Sequence, residues 1–375
     1  MPKRRITVSW VNLAAVVTIG FLLVLMWQLR GLLVTLMIAV VIAATLAPMI
    51  DSAEKLRIPR WLAVILTYLG LIGILSGAGL VIGPTVVQQI QRLIQRLPTF
   101  VEVLASLVEN LAMRLGITDL TSINPISELF DTQALTSWVI RTSQQLLVRS
   151  YDVTRGILSG LFTLILALLI SGYMLAGSKT LIQGLVNLFP YPWNERLEAQ
   201  FMPVSKRMGG YIQGRVLVSS ILGIAISISL SILGLSEFAV GLGVIAGFTN
   251  LIPFVGPILG AIPALVVAIT QGGLTFFWVL LLFAIIQNVE TYVLDPLLVG
   301  SSVNVHPLYQ LLAVLGGTQV LGLIGALIVP PWVAGAAVVL ENLYLKPKQI
   351  AEQQEAARVP LATAETSNSL PVNRS

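Results

Sequence analysis

The sequence predicts an all-α polytopic membrane protein. It should have about 6–8 transmembrane helices, one or two Gly/Pro-broken (re-entrant) helical hairpins and a small extramembrane helical segment. Three observations predict this. Only 10% of the 375 residues are charged and 56% are hydrophobic, with a mean hydropathy of +0.90, whereas soluble domains carry roughly 25% charged residues. Charge-free runs of the length a spanning helix needs, about 20 residues, recur along the chain. From 238 to 340 the only charged side chains are Glu290 and Asp295, with the single histidine, His306, beside them. That stretch is also studded with Gly and Pro, which a plain anchor does not need. The composition leaves no room for a large soluble catalytic domain.

The charge-free gaps place the elements in order. Arg5 to Arg30 frames a first helix over about 10–29, and the uncharged run before Asp51 frames a second over about 31–48, joined by a tight turn at Arg30-Gly31. The first run is too long for a signal-peptide core of roughly 7–15 residues and has no small-residue cleavage site after it, so a spanning helix is expected instead. A third helix is expected over about 61–83, ending at Gly83-Pro84, a fourth over about 157–177 and a fifth over about 215–234. These form the transmembrane parts of 1–83 and 156–234.

Between them, 84–155 is the one sizeable aqueous piece. Val86, Val87, Ile90, Leu93, Ile94 and Leu97 form a helical stripe beside Gln88, Gln91, Arg92 and Gln95, and Leu104, Leu107, Leu111 and Leu115 continue one after Pro98. Leu135, Trp138 and Leu146 suggest a third amphipathic helix. These helices are expected to pack on one another or on the bilayer surface. Residues 193–212, with Trp193 and Tyr211 at the ends and Arg196, Lys206 and Arg207 between, read as an interfacial helix. The tail from about 346 loses hydrophobic periodicity and is expected to be disordered.

The net charge of +5 comes from basic residues at the ends of apolar segments, which points to membrane orientation and not to nucleic acid. Lys3, Arg4 and Arg5, then Lys55, Arg57 and Arg60, then Lys179, Arg196, Lys206, Arg207 and Arg215 fall on one side. That side is cytoplasmic by the positive-inside rule, and Lys346, Lys348 and Arg358 put the C-terminus there too. Cysteine is absent, which removes disulfides, thiol catalysis and Cys-ligated metal.

The chemistry is expected in 235–345. Within 241–270, Pro253, Pro257 and Pro263 alternate with Gly247, Gly256 and Gly260, so two half-helices broken near 252–257 fit better than one continuous helix. Within 306–340, Gly316-Gly317, Gly322, Gly325 and Pro330-Pro331 repeat the theme. Paired broken segments are a sequence pointer to a transporter binding site, although Gly spacing equally serves close helix packing. Between them, Asn288 and Asp295 are seven apart and share a helix face, with Gln287 and Glu290 on a neighbouring one. Pro296 should end the helix at Asp295, leaving an anion at a helix C-terminus that calls for a cation, a proton or a donor. The competing reading is a short surface loop with His306 solvated.

The run 250–263, NLIPFVGPILGAIP, together with DPLLVG at 295–300, His306-Pro307-Leu308, the later glycines, YIQGR at 211–215 and LRIPR at 56–60, resembles the autoinducer-2 exporter family of bacterial membrane proteins. The resemblance covers essentially 10–345. It implies a secondary transporter in the bacterial plasma (inner) membrane. Some members export the furanosyl signal autoinducer-2, and others are linked to sodium/proton antiport. It also implies a homo-oligomer, a pentamer being one candidate, and no cofactor. The residues it carries over are Arg215, Asn250, Pro253, Gly256, Pro257, Asn288, Glu290, Asp295, Asn304 and His306. Pro330-Pro331-Trp332 departs from the family pattern, where a single Pro is usual.

Three functions compete: an ion-coupled exporter of a small polar metabolite, a sodium/proton antiporter and a non-transporting scaffold. An enzyme is not expected. There is no His-Glu-x-x-His motif and no second His, and Ser301-Ser302 beside His306 lacks a positioned base and oxyanion site. No Gly-x-x-x-x-Gly-Lys-Ser/Thr motif occurs, so ATP is not expected to drive transport on this chain.

Overall fold

A computed structural model describes residues 10–114, 150–300 and 306–354. These are almost wholly helical, with no strand among the described residues. Six helices among them are long and apolar enough to cross a membrane. The outer surface is apolar, as lipid requires: Leu80, Ile232 and Val320 are each more than three-quarters exposed.

Helix α1 (Trp10–Gln28) is followed by α2 (Arg30–Lys55), and the break falls at Leu29, one residue before the expected turn. Helix α3 (Arg60–Arg114) does not end at Gly83-Pro84. Pro84 and Pro98 are accommodated inside it, so the first two amphipathic stripes are its polar continuation and not separate helices. The stretch through Phe100 packs on the region beginning at Phe238. Leu93, Leu97 and Phe100 join a core cluster with Phe238, Ala239 and Leu242. The expected helix at Leu135, Trp138 and Leu146 lies outside the described residues.

Helix α4 (Ser150–Ala176) packs against α2 and α3 around Arg60, which donates from Nε to the Leu175 carbonyl (2.7 Å) and from Nη1 to Glu54 (2.7 Å). Short α5 (Ser178–Val186) leads to α6 (Trp193–Leu230), which widens into a π-type turn at Ser231–Leu235. The sequence divides this region into an interfacial helix and a spanning one, but the structure has one helix running through Pro203. Tyr211, expected at the interface, is only 1% exposed. The apolar stripe of the spanning half continues back through Met208, so no polar break separates the halves.

Helix α6 is the hub of the fold. A Cβ on Gly209 would overlap the Ala44 carbonyl of α2, and Gln213 donates to the Thr45 carbonyl (2.6 Å). Helix α7 (Ala239–Thr249) lies along α6, with Gly243 and Gly247 against Gly223. A turn at 250–254 leads to α8 (Val255–Thr270), which returns beside α7. Here Gly256 is required, because a Cβ there would overlap the Thr249 carbonyl. At 1.5 Å per residue α7 rises about 16 Å and α8 about 24 Å, both short of a hydrocarbon core of about 30 Å. The pair forms the broken helical hairpin that the prolines foretell.

Helix α9 (Gly273–Val289) continues as wide, π-type turns over Glu290–Gly300. Helix α10 (Pro307–Leu340) is broken at Gly322, where φ is +65° and ψ −150°. The chain folds back there, so that Gly317 and Gly325 meet backbone to backbone. This is the second hairpin. Pro330 and Pro331 sit buried in its return limb without ending it. Beyond Leu340 the helix runs through a π-type turn (Glu341–Leu345) to 354, so 346–354 is helical where the sequence suggests disorder.

Candidate functional site

Four side chains from three elements converge beneath the tip of the first hairpin. Arg215, on α6, is 2% exposed. Its Nη1 lies 3.0 Å from Glu290 Oε1 and 3.3 Å from Asp295 Oδ1, and its Nη2 is 3.5 Å from Asn250 Oδ1. Asn250 Nδ2 donates to Glu290 Oε1 at 3.0 Å, closing a ring of polar contacts. Asn250 and Glu290 are each 3% exposed, whereas the Asp295 side chain is 40% exposed. One guanidinium therefore holds one sequestered and one accessible carboxylate. Arg215 Nε and the Ser219 hydroxyl, one turn further along α6, are buried without a hydrogen-bond partner among the described residues.

The π-type turns explain how one arginine reaches both acids. In an α-helix, residues five apart are separated by about 140° around the axis. An i→i+5 turn brings them closer together on one side of the axis. Pro296 contributes by removing a backbone donor from the ladder. It does not end the helix at Asp295, contrary to the sequence expectation, because the chain widens instead of breaking. The positive charge that faces Asp295 comes from Arg215. Gly214 permits the approach, since a Cβ there would overlap the Leu298 carbonyl in the π-type turns after α9.

The turn over this cluster is shaped by its own sequence. Asn250 closes α7, Phe254 adopts φ +65°, and Pro253 and Gly256 are buried at the tip. Pro257 lines a cavity together with the polar Asn250, Gln287 and Glu290 and the apolar Leu222, Ile226, Ala246, Phe283 and Ile286. Its volume is about 20 Å³, roughly enough for one water. The tip also reaches the second hairpin: Ile252 and Val255 pack on Val314 of its entering limb and Ala326 of its return limb.

Two candidates stand apart. Asn288 is exposed and donates to the Ala284 carbonyl of its own helix (2.8 Å). His306 is exposed and caps α10, its Nδ1 accepting from the Leu308 amide (3.3 Å). Asn304, Ser301 and Ser302 lie outside the described residues. The sequence reading missed Tyr211, buried one turn before Arg215, whose hydroxyl accepts from Gln310 of the second hairpin (3.3 Å). It also missed Ser219. Their positions at 211, 215 and 219 follow a helical repeat, which would have linked them had 193–212 been read as part of α6.

Residues 16–345 match the family described as AI-2E family transporter. The chain belongs to that family. Similar proteins include "Putative transport protein YueF" of Bacillus subtilis, 27% identical over 314 residues, covering 83% of this chain and 84% of that one. "Putative transport protein YrrI" of the same organism is 27% identical over 336 residues, covering 86% and 91%. "Putative permease PerM" of Escherichia coli K12 is 27% identical over 310 residues, covering 81% and 84%. Membership in the AI-2E family agrees with the resemblance drawn from the 250–263 and 295–300 motifs. With six candidate spans, it makes the chain a multi-pass membrane protein of a transporter family.

Proposed function

We propose that this chain is a secondary transporter that exports a small polar metabolite or signalling molecule of the autoinducer-2 type, coupled to a proton or sodium ion. The observation that carries the reading is the Arg215–Asn250–Glu290–Asp295 cluster, buried where two broken hairpins meet. One guanidinium faces two carboxylates, so with both ionised the cluster holds one excess negative charge at membrane depth. Ionisable groups there are costly unless balanced. A proton or monovalent cation balances the excess, and its arrival weakens the hold of Arg215 on the acid that takes it. Asp295 is the accessible acid and the exchanging one; Glu290 is the anchored one.

The mobile part is the hairpin pair. The tip of the first packs on the limbs of the second through apolar side chains, which slide or separate without stranding polar groups. In this reading Pro253, Gly256 and Pro257 shape the gate, and Asn250 reports its position to Glu290. Both termini face the cytoplasm of a bacterial inner membrane, and the working form is a homo-oligomer.

Sodium/proton antiport without an organic solute is the second reading. The narrow cavity beside Glu290 favours it, having room for about one water in this conformation. Purified protein in proteoliposomes separates the two. An exporter accelerates loss of a loaded metabolite when a proton or sodium gradient is applied. An antiporter gives sodium-dependent proton flux with no metabolite present. Asp295→Asn should abolish gradient dependence in either case, and retained coupling would sink the role given to Asp295.

A further inference from the structure

The two glutamates that bracket the nearly uncharged stretch, Glu237 and Glu341, are both held by arginines from other parts of the chain. Arg207 of α6 takes Glu341 at 3.3 Å. The contact at Glu237 is the more elaborate. Arg96, on the polar half of α3, pairs with it through both nitrogens, Nη2 to Oε1 at 2.9 Å and Nη1 to Oε2 at 3.0 Å. Arg92, one turn earlier, lies 3.8 Å from the same carboxylate. The Arg96 guanidinium also sits over the Phe238 ring at 5.4 Å, and Phe100 meets that ring edge-on at 6.4 Å. Gln89 completes the seam, its Oε1 accepting from the Gly241 amide at 2.6 Å.

Position gives these contacts their meaning. Phe238 and Gly241 form the first turn of α7, the entering limb of the first hairpin. That turn has no side-chain cap of its own, so one of its free amides is satisfied by another helix. The carboxylate of Glu237 lies at the positive end of α7, where an anion is favourable. The seam is also exposed: the Arg96 and Glu237 side chains are 51% and 36% accessible. An exposed ion pair weakens as the screening length falls from about 10 Å at 0.1 M salt towards 3 Å at 1 M.

We propose that the polar half of α3 is a clamp on the root of the first hairpin, closed by Arg96–Glu237 and the Gln89 cap, whose release by ionic strength on that face frees the hairpin to move. The inference rests on the reading that this hairpin moves in transport. Its test needs no solute, so failure of the clamp and failure of the transport reading are distinguishable.

Hydrogen–deuterium exchange of the full chain in nanodiscs provides the test. The chain has no cysteine, so Gln89→Cys with Gly241→Cys gives a clean cross-link; a Cβ at Gly241 would lie 3.0 Å from that of Gln89, within about half an ångström of the disulfide range. Exchange over 239–254 should rise at least about threefold between roughly 0.02 M and 0.5 M salt in the wild type. It should be fast at both salts in Glu237→Gln and slow at both in the oxidised cysteine pair. Exchange over 307–321, in the second hairpin, should stay constant throughout. Wild-type exchange that ignores salt, or equal rates in the wild type and Glu237→Gln at low salt, overturns the clamp. If Glu237→Gln does not fold, the cysteine pair decides: no slowing on oxidation also overturns it.

Discussion

Replacing Arg215 by Met should destabilise the protein by about 3–5 kcal/mol, the cost of stranding one member of a buried ion pair. The magnitude follows from where its partners lie. Glu290 is 3.0 Å from Nη1 with a side chain only 4% exposed, so it stays largely desolvated once the guanidinium is gone. At an effective dielectric of about 20 that contact is worth roughly 5 kcal/mol of gross Coulomb energy, much of it offset by the desolvation of both groups. Asp295 is closer to a surface case: at 40% exposed it can rehydrate, and its pairing should contribute about 1 kcal/mol or less. The loss in Arg215→Met should therefore come through Glu290. A double-mutant cycle in reversible unfolding from mixed detergent micelles measures this. Glu290→Gln in the Arg215→Met background should recover at least about 2 kcal/mol, because the stranded charge is gone while the amide keeps a hydrogen-bonding partner in Asn250. Asp295→Asn in the same background should recover less than about 1 kcal/mol. Strict additivity of Arg215→Met and Glu290→Gln, within about 0.5 kcal/mol, would refute the coupling drawn from the geometry.

The remaining predictions concern the hairpins and their neighbours. Gly256→Ala should cost about 1–3 kcal/mol in the same unfolding assay, since its Cβ meets the Thr249 backbone; Gly73→Ala, where a Cβ meets nothing within 4 Å, should be neutral or stabilising. Tyr211→Phe should cost about 0.5–1.5 kcal/mol through the lost bond from Gln310 and leave the protein folded. His306→Ala should lower stability by about 1 kcal/mol as a lost helix cap and leave flux in proteoliposomes intact; loss of flux at unchanged stability would return His306 to the transport path.

Much of the site was legible before the fold was known. Glu290 and Asp295 could be named because ionisable groups are conspicuous in an apolar stretch, whereas Arg215 and Asn250 came only from the family resemblance. What the sequence could not supply was their pairing. Counting at 3.6 residues per turn puts Asp295 on a face with Asn288 and away from Glu290. The π-type turns reverse this, and nothing in ETYVLDP fixes their width except the single proline. The helix ends assigned at Pro84 and near Tyr211 failed for a related reason. Proline and charge density are local signals, and both were overridden: Pro84 and Pro203 lie within continuous helices, and Tyr211 is drawn into the core around α6.

The sequence by itself determined that the chain enters a bilayer, roughly where its helices run and where they must be broken. Those follow from apolar length and from backbone groups that Gly and Pro leave unpaired, and neither depends on distant neighbours. Only the tertiary structure decided that α3 reaches over to the root of the first hairpin, that the tip of this hairpin packs on the limbs of the second and that one arginine serves two carboxylates. Those are contacts between residues up to 152 positions apart. They depend on how closely helices approach, at places such as Gly214 and Gly256, where a missing side chain lets two backbones meet.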